Sequence, residues 1–291
     1  MPEKLLAYFL YNIKEEAVFM QINEHYIPKT YMKGWTGDSQ SVYELGLKDR
    51  EIERKNIDNI NSFLNLYETP ELEDTEKYIE HSFSKYENTL HGLIERITSC
   101  ETRLTDSGRI HPEEKMALAK AIVVMYCRNK DIFPLISDII AGLKLENNKT
   151  FKDSLNIILQ NASLSDKEKE DFVKYFSNCI SIIPDSEGVR RLTETVAKNN
   201  CALLYDKDGT FMFSNLPVYV SKEESVYYMP LSPNWAVLFS NKFENGTFHT
   251  VNADEYNYLL LENGFTKYMY SDNIESLQNF SIVNAHAMNI V

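Results

Sequence analysis

Apolar residues recur every three or four positions through much of the first 200 residues, which is the spacing of amphipathic helices. Pro28 and Pro112 each suit the first turn of a helix, where no backbone N–H is needed. The helix from Pro28 would place Tyr31, Met32 and Trp35 on one side. The helix from Pro112 would present Met116, Ala119, Val123, Tyr126 and Cys127. Further helices are predicted over 5–18, 71–100, 134–144, 150–161, 165–182 and 187–199.

Two stretches carry β-type patterns instead. Residues 41–47 alternate between apolar and polar side chains, and a turn at 48–50 leads to a second extended run, which predicts a hairpin. After Asn200, short β-rich runs alternate with turn residues. A late helix is expected over 252–263, followed by a closing strand. The layout predicts an α+β fold with a small N-terminal hairpin, a long helical middle and a β-rich C-terminal lobe with a late helix.

Composition supports a folded protein away from membranes. With 43% hydrophobic residues, the 291-residue chain can bury a full core. We therefore expect one compact unit over 1–291, with sub-lobes at 1–66, 67–200 and 201–291. No apolar run approaches the roughly 20 residues that span a bilayer. The first 20 residues lack the uninterrupted apolar stretch of a signal peptide. We expect a cytoplasmic protein.

The net charge of the chain limits the classes of binding partner that it favours. The chain carries 43 acidic and 30 basic residues, for a net charge of −13. Such a surface repels phosphate backbones, so broad nucleic-acid binding is disfavoured, although a local basic pocket for one phosphate stays open. From Thr210 to the C-terminus, eight acidic residues stand against three lysines. That lobe is a candidate for mimicking nucleic acid or for docking a basic partner.

The common catalytic and metal motifs are absent from the sequence. It contains no phosphate-binding glycine loop, no serine-hydrolase elbow, no zinc-peptidase motif and no EF-hand loop. The four cysteines show no zinc-type spacing, and Cys127 and Cys179 are interpreted as buried thiols. The candidate chemistry therefore rests on weaker patterns.

The strongest of these patterns is the segment from His25 to Tyr31. A histidine one turn before a helix lies near unsatisfied backbone N–H groups, where a phosphate or carboxylate could bind. Its near-neutral pKa would also suit proton transfer. Alternatively, His25 and Tyr26 fix the entry of the chain into the helix by hydrogen bonding and packing.

Two further patterns carry charge. Glu80 and Glu87 are two helical turns apart, so they share a helix face and are candidate ligands of a divalent metal. The alternative is an ordinary solvated helix face. Arg128 follows an apolar helix, where it would either complement the helix dipole or bind an anion in a cleft.

These residues carry a resemblance to a known family. The segment from His25 to Met32 resembles the opening signature of domain-of-unknown-function family 4238, a bacterial group with His-Tyr-(Ile/Val)-Pro-x-x-Tyr-Leu there. The resemblance spans about residues 24–271. Further matches in the family's order are Tyr67, the Glu80 to Glu87 spacing, Arg128, Ser214 to Val218, Leu231 to Pro233, and Asn252.

The sequence departs from the family pattern at two places. Asn215 stands where the family commonly has an aspartate, so a carboxylate mechanism is not expected there. Met125 stands where a glutamine is often seen. Members often occur near mobile and defence-type genes, but the resemblance implies no established reaction. It implies one compact unit with a shared site.

The first functional hypothesis is an enzyme, which follows from polar residues of distant segments that the resemblance marks together. It would be a hydrolase or transferase acting on a phosphate-containing substrate, such as a nuclease-like effector in phage defence or toxicity. His25 would be the general acid or base, Arg128 would bind the anion, and Glu87 would orient His25 or bind a metal. The expected substrate-binding residues are Tyr26, Tyr31, Ser214, Asn215 and Asn252.

The second hypothesis is a binding or regulatory protein without catalysis. The same residues would then form a buried polar network that holds the lobes together. Such networks are structurally demanding, because an unpaired buried polar group costs about 1–3 kcal/mol.

Overall fold

A computed structural model of the protein describes residues 23–36, 39–64, 73–98, 110–129, 131–132, 184–221 and 223–284. The helices predicted over 5–18, 134–144, 150–161 and 165–182 lie outside these residues, as does Cys179. The described chain is α+β, as predicted.

The described helices are α1 (Lys29–Met32), α2 (Glu73–Thr98), α3 (Pro112–Cys127), α4 (Glu187–Ala197), α5 (Asp254–Asn257) and α6 (Ile274–Val283). Short 3-10 segments span Lys33–Trp35, Ile57–Asn59 and Tyr258–Asn263. The strands are β1 (Asn23–His25), β2 (Ser41–Gly46), β3 (Ile52–Asn56), β4 (Ser62–Leu64), β5 (Cys201–Tyr205), β6 (Phe213–Ser214), β7 (Tyr219–Ser221), β8 (Val226–Ser232), β9 (Trp235–Phe239), β10 (Thr247–Thr250) and β11 (Tyr268–Ser271).

A five-stranded sheet in the order β10-β5-β9-β8-β7 is buried on both faces at its centre. Every residue of β9 is buried, which explains its continuous apolar run. Val237 and Phe239 pack into the core shared with α2, α3 and α4, whereas Ala236 and Leu238 pack into a second core that includes Leu277 and Phe280 of α6. Only β10 runs parallel to its neighbour, and the remaining pairs are antiparallel.

A four-stranded sheet joins the two ends of the described chain. Its order is β3-β2-β11-β6, with all pairs antiparallel. The predicted hairpin of β2 and β3 is confirmed. Its strand β2 pairs with β11 in the register Tyr43 to Ser271, so the hairpin and the C-terminal strands share a sheet. A separate two-stranded ladder pairs β1 with β4.

Helices α2, α3 and α4 pack on one face of the five-stranded sheet. Helix α2 closely matches its predicted range and buries Phe83, Tyr86, Leu90 and Ile94 at helical spacing. Helix α3 contacts α4, α2 and β8, and it is therefore apolar on most sides. Met116, expected on its buried face, is instead exposed. No helix in the described part of the chain is long and apolar enough to span a membrane.

The short helix after Pro28 anchors the N-terminal segment to the sheets. Tyr31, Met32 and Trp35 are fully buried, as the spacing predicted. The Trp35 ring centre lies 5.0 Å from that of Tyr31 and 4.8 Å from that of Phe213 on β6. This aromatic contact fixes where the residues around His25 lie.

Candidate functional site

His25 ends β1, and the pairing of β1 with β4 places it opposite Ser62. Its ring Nε2 lies 3.1 Å from the carbonyl oxygen of Ile57. Because a carbonyl oxygen can only accept, Nε2 donates, and Nδ1 carries the lone pair of the neutral imidazole. Within the described residues, this is the one hydrogen bond that the His25 ring makes.

The surroundings of His25 keep its imidazole neutral. Its pKa lies below the ordinary value of 6.5, mainly because partial burial disfavours the charged form. The positive charges of Lys29 and Arg128 lower the pKa further, while the hydrogen bond to Ile57 and the charge of Asp58 act in the opposite direction. Lys29 and Asp58 themselves form an ion pair of 2.7 Å on the surface.

Arg128 joins three separate segments directly after α3. It is buried, with 3% of its surface exposed. Its Nη1 donates to the Glu87 carboxylate on α2 at 2.7 Å, and its Nη2 donates to the backbone oxygen of His25 at 2.6 Å. The guanidinium carbon also lies 4.4 Å from the ring centre of Phe83, which is cation–π geometry. One side chain thus connects α2, α3 and β1.

The next residue extends this connection to the four-stranded sheet. Asn129 donates from Nδ2 to the backbone oxygen of Asn215 at 2.7 Å. The Asn215 side chain accepts from the N–H groups of Lys267 and Tyr268 at 2.6 and 3.0 Å, and it donates to the oxygen of Phe265 at 3.1 Å. An aspartate here would accept the same two N–H groups but could not donate to Phe265.

We call the set of His25, Glu87, Arg128, Asn129 and Asn215 the polar interlock. Its bonds connect four parts of the described chain: β1, α2, the end of α3 and the turn after β6. The expected enzyme would need these groups to face a ligand. The observed bonds instead run from one part of the protein to another.

Ser214 and Tyr31 lie outside the polar interlock. Ser214 is fully buried, and its hydroxyl donates to the oxygen of Leu216 at 2.6 Å while it accepts from the N–H of the same residue. It therefore closes the turn after β6. The Tyr31 hydroxyl donates to the oxygen of Pro230 on β8 at 2.7 Å, which ties α1 to the five-stranded sheet.

Tyr26 belongs to a second polar cluster. Its hydroxyl and that of Tyr270 lie 3.2 and 3.3 Å from Oδ1 of Asn61. Tyr270 stands opposite Glu44 in the pairing of β11 with β2, and burial raises the pKa of the Glu44 carboxyl. Asn61 adopts a φ of 52°, a left-handed conformation that is uncommon for a residue other than glycine.

The two remaining predicted site residues differ in what the structure describes. Asn252 is exposed, and its side chain accepts from the N–H of Asp254 at the start of α5. The side chain of Glu80 lies outside the described residues. Among the side chains that are described, no group of three His, Cys, Asp or Glu residues is placed to hold a metal ion.

We compared the sequence with models of known protein families, with curated proteins and with solved structures. The family model "Protein of unknown function (DUF4238)" matches residues 23–274, most of the chain. The chain belongs to this family. No curated protein and no solved structure matches it. The resemblance seen in the opening signature is thereby confirmed, and DUF4238 carries no assigned reaction.

Residues of the DUF4238 signature thus fall into three places. His25, Glu87 and Arg128 come together in the polar interlock, Tyr31 and Ser214 support the sheets, and Tyr26 lies in the second cluster. Sequence reasoning missed Asn129 and Asn61. A polar residue directly after an apolar helix could have drawn attention to Asn129. A left-handed asparagine has no sequence signal of comparable strength.

Proposed function

We propose that this DUF4238 protein is a non-enzymatic binding or regulatory protein whose signature residues form a structural polar network. The observation that carries the proposal is the position of Arg128. Both terminal nitrogens of its guanidinium bind groups of the protein itself, Glu87 and the backbone of His25. A guanidinium held in this way between two internal acceptors is suited to joining segments of the chain.

The other signature side chains support the same interpretation. The polar atoms of Asn215 and Tyr31 are hydrogen-bonded to backbone groups of other parts of the chain, and the Ser214 hydroxyl is hydrogen-bonded within its own turn. A hydrogen bond between two protein groups stabilises the fold and leaves that donor or acceptor less available to a ligand. These residues therefore hold the elements in place.

A second candidate function is favoured by one specific observation, the imidazole of His25. The polar interlock uses the backbone oxygen of His25, not its ring. The ring bonds through Nε2 to Ile57, and its lowered pKa keeps a lone pair on Nδ1 at neutral pH. A neutral imidazole beside Lys29 and Arg128 has the composition of a general base near an anion site. It would serve a hydrolase or transferase acting on a phosphate-containing substrate, such as a nuclease-like effector in phage defence or toxicity.

A metal does not follow from the described contacts. Glu87, one of the two candidate ligands, already binds Arg128 at 2.7 Å. A divalent cation at Glu87 would have to share that carboxylate with the guanidinium. The second candidate is therefore stated without a metal, with His25 as its proton acceptor.

The proposal also covers location and partner. We propose a bacterial, cytoplasmic protein, because the family resemblance is bacterial and Cys127 and Cys201 are free thiols, as is usual in a reducing compartment. Burial raises the pKa of Cys127 and Cys201 to about 12, which is typical of unreactive thiols. A net charge of −13 favours a protein or small-molecule partner over broad nucleic-acid binding.

Expression in bacterial cells of the wild type, His25→Ala and His25→Gln distinguishes the binding protein from the enzyme. Cell growth and nucleic-acid integrity are measured after induction, and thermal melts test whether both variants fold. We expect no difference between the cells, and a modest loss of thermal stability in His25→Ala. If the wild type is toxic or degrades nucleic acid while both folded variants do neither, the enzyme replaces the binding protein.

A further inference from the structure

A groove lies between α2 and α3, beside the residues that precede α4. Its volume is about 170 Å³. Leu90 and Leu93 on α2 and Ala117 on α3 supply its apolar lining, and Pro184 and Asp185 flank it from the third segment. Most of its lining is thus hydrocarbon, as in sites for small organic molecules.

Among the described lining residues, the charged groups are mainly positive. They are Lys85, Lys120 and one carboxylate, that of Asp185. Lys120 Nζ lies 2.8 Å from Asp185 and 5.8 Å from the ring centre of Tyr86. Both lysines lower the pKa of the Asp185 carboxyl. In a chain with a net charge of −13, two cations and one anion among the described lining residues are a local exception.

Tyr86 adds an aromatic ring to this lining. Only 8% of its surface is exposed, and Lys120 lies over its ring. Its hydroxyl oxygen is closed to solvent, so it is the ring that a ligand in the groove would contact.

We infer that this groove binds a small organic anion, a carboxylate or a phosphate monoester with an apolar end. The apolar end would pack on Leu90 and Leu93, and the anionic end would lie between Lys85 and Lys120. The ring of Tyr86 would form part of the wall beside the ligand. The inference rests on the proposed binding function and names the class of ligand. The same anion could be a free metabolite or the C-terminal carboxylate of a partner peptide.

The test is calorimetric titration of the folded full chain with benzoate, phenyl phosphate and a peptide that ends in a C-terminal phenylalanine. Benzylamine serves as a cation of similar shape. We expect saturable binding of at least one anion with a Kd of about 1 mM or tighter, and no binding of benzylamine. Tighter binding of the peptide than of the free anions would identify a peptide as the source. No saturation by any of the three anions would overturn the inference.

Variants then locate the binding. Lys85→Gln and Lys120→Gln should each weaken the Kd roughly tenfold, the size of one charge-assisted hydrogen bond. Asp185→Asn should strengthen it, because a competing carboxylate is removed. Lys242→Gln, which breaks the exposed ion pair with Glu224, is the matched control and should leave the Kd unchanged. Equal effects of Lys120→Gln and Lys242→Gln would place the anion elsewhere and contradict the inference.

Failure here is distinguishable from failure of the proposed function. If no anion binds while the cell experiment shows no role for His25, the groove inference falls and the binding protein stands. If the anion binds but His25 proves catalytic, the groove stands and the non-enzymatic function falls.

Discussion

The polar interlock and the groove are built on the same turn of α2, yet their polar groups behave in opposite ways. Glu87 binds Arg128 on one side of the helix. Lys85, two positions earlier, lines the groove and is exposed. Hydrogen-bonded groups that are buried hold a fold together, whereas exposed charges beside a groove can bind a ligand. We propose that the family signature serves stability and that the groove serves binding.

The largest expected effect breaks the polar interlock at its centre. Arg128→Gln leaves Glu87 and the His25 oxygen without their cation, so we expect a loss of about 3 kcal/mol in the free energy of unfolding. Urea denaturation measures it. Arg190→Gln is the control, because its ion pair with Glu194 is exposed and should contribute less than about 1 kcal/mol. Equal losses in the two variants would show that Arg128 does not hold the segments together.

Removing one tyrosine hydroxyl from a signature residue and one from a residue that lines the groove, by Tyr31→Phe and Tyr86→Phe, compares their contributions to stability. Tyr31→Phe removes a buried donor to Pro230 and should lower the free energy of unfolding by about 1–2 kcal/mol. Tyr86→Phe removes a hydroxyl without a described partner, and it should leave the stability unchanged or raise it. Thermal melts without ligand measure both. A larger loss in Tyr86→Phe than in Tyr31→Phe would reverse the assignment.

Asn215 tests whether the departure from the family aspartate is structural. Asn215→Asp keeps both acceptor bonds but loses the donor to Phe265, so we expect a loss of about 1 kcal/mol. Calorimetric melting at pH 7 measures it. Asn252→Asp, at an exposed position, is the matched control. Identical melting of Asn215→Asp and the wild type would show that the bond to Phe265 contributes nothing.

The smallest effect is a pH dependence that belongs to His25. Its pKa in the folded chain lies below 6.5, so the unfolded chain binds more protons in the window between the two values. The wild type should lose stability as the pH falls from 6.5 through the folded pKa. His25→Gln keeps a donor for Ile57 and should lack this part of the slope. Parallel unfolding curves across the window would contradict the lowered pKa.

Local elements of the fold were predictable, and long-range contacts were not. The helix expected over 71–100 is Glu73–Thr98, because its apolar spacing is long and regular. Strand β10 and helix α6 were missed, since Thr247–Thr250 shows little alternation and runs parallel to a distant partner. The late helix over 252–263 begins as α5 and tightens into a 3-10 segment before Gly264.

The candidate site shows the same limit. The family signature predicted that His25 and Arg128 lie close together. The spacing of side chains could not predict that the contact would use the backbone oxygen of His25. The bond from Arg128 reaches the carbonyl oxygen of His25, which any residue would supply. Likewise, Asn129 binds the backbone of Asn215 across 86 positions of sequence. Such contacts depend on how the elements pack, which one sequence alone does not specify.

The most direct test of the polar interlock is a double-mutant cycle on its central ion pair. The free energy of unfolding is measured for the wild type, Glu87→Gln, Arg128→Gln and the double variant. If the pair is a structural connection, the two changes are coupled by about 1–3 kcal/mol, because the second substitution removes a partner that the first has already lost. Additive changes would contradict the account and return Arg128 and Glu87 to the search for a ligand.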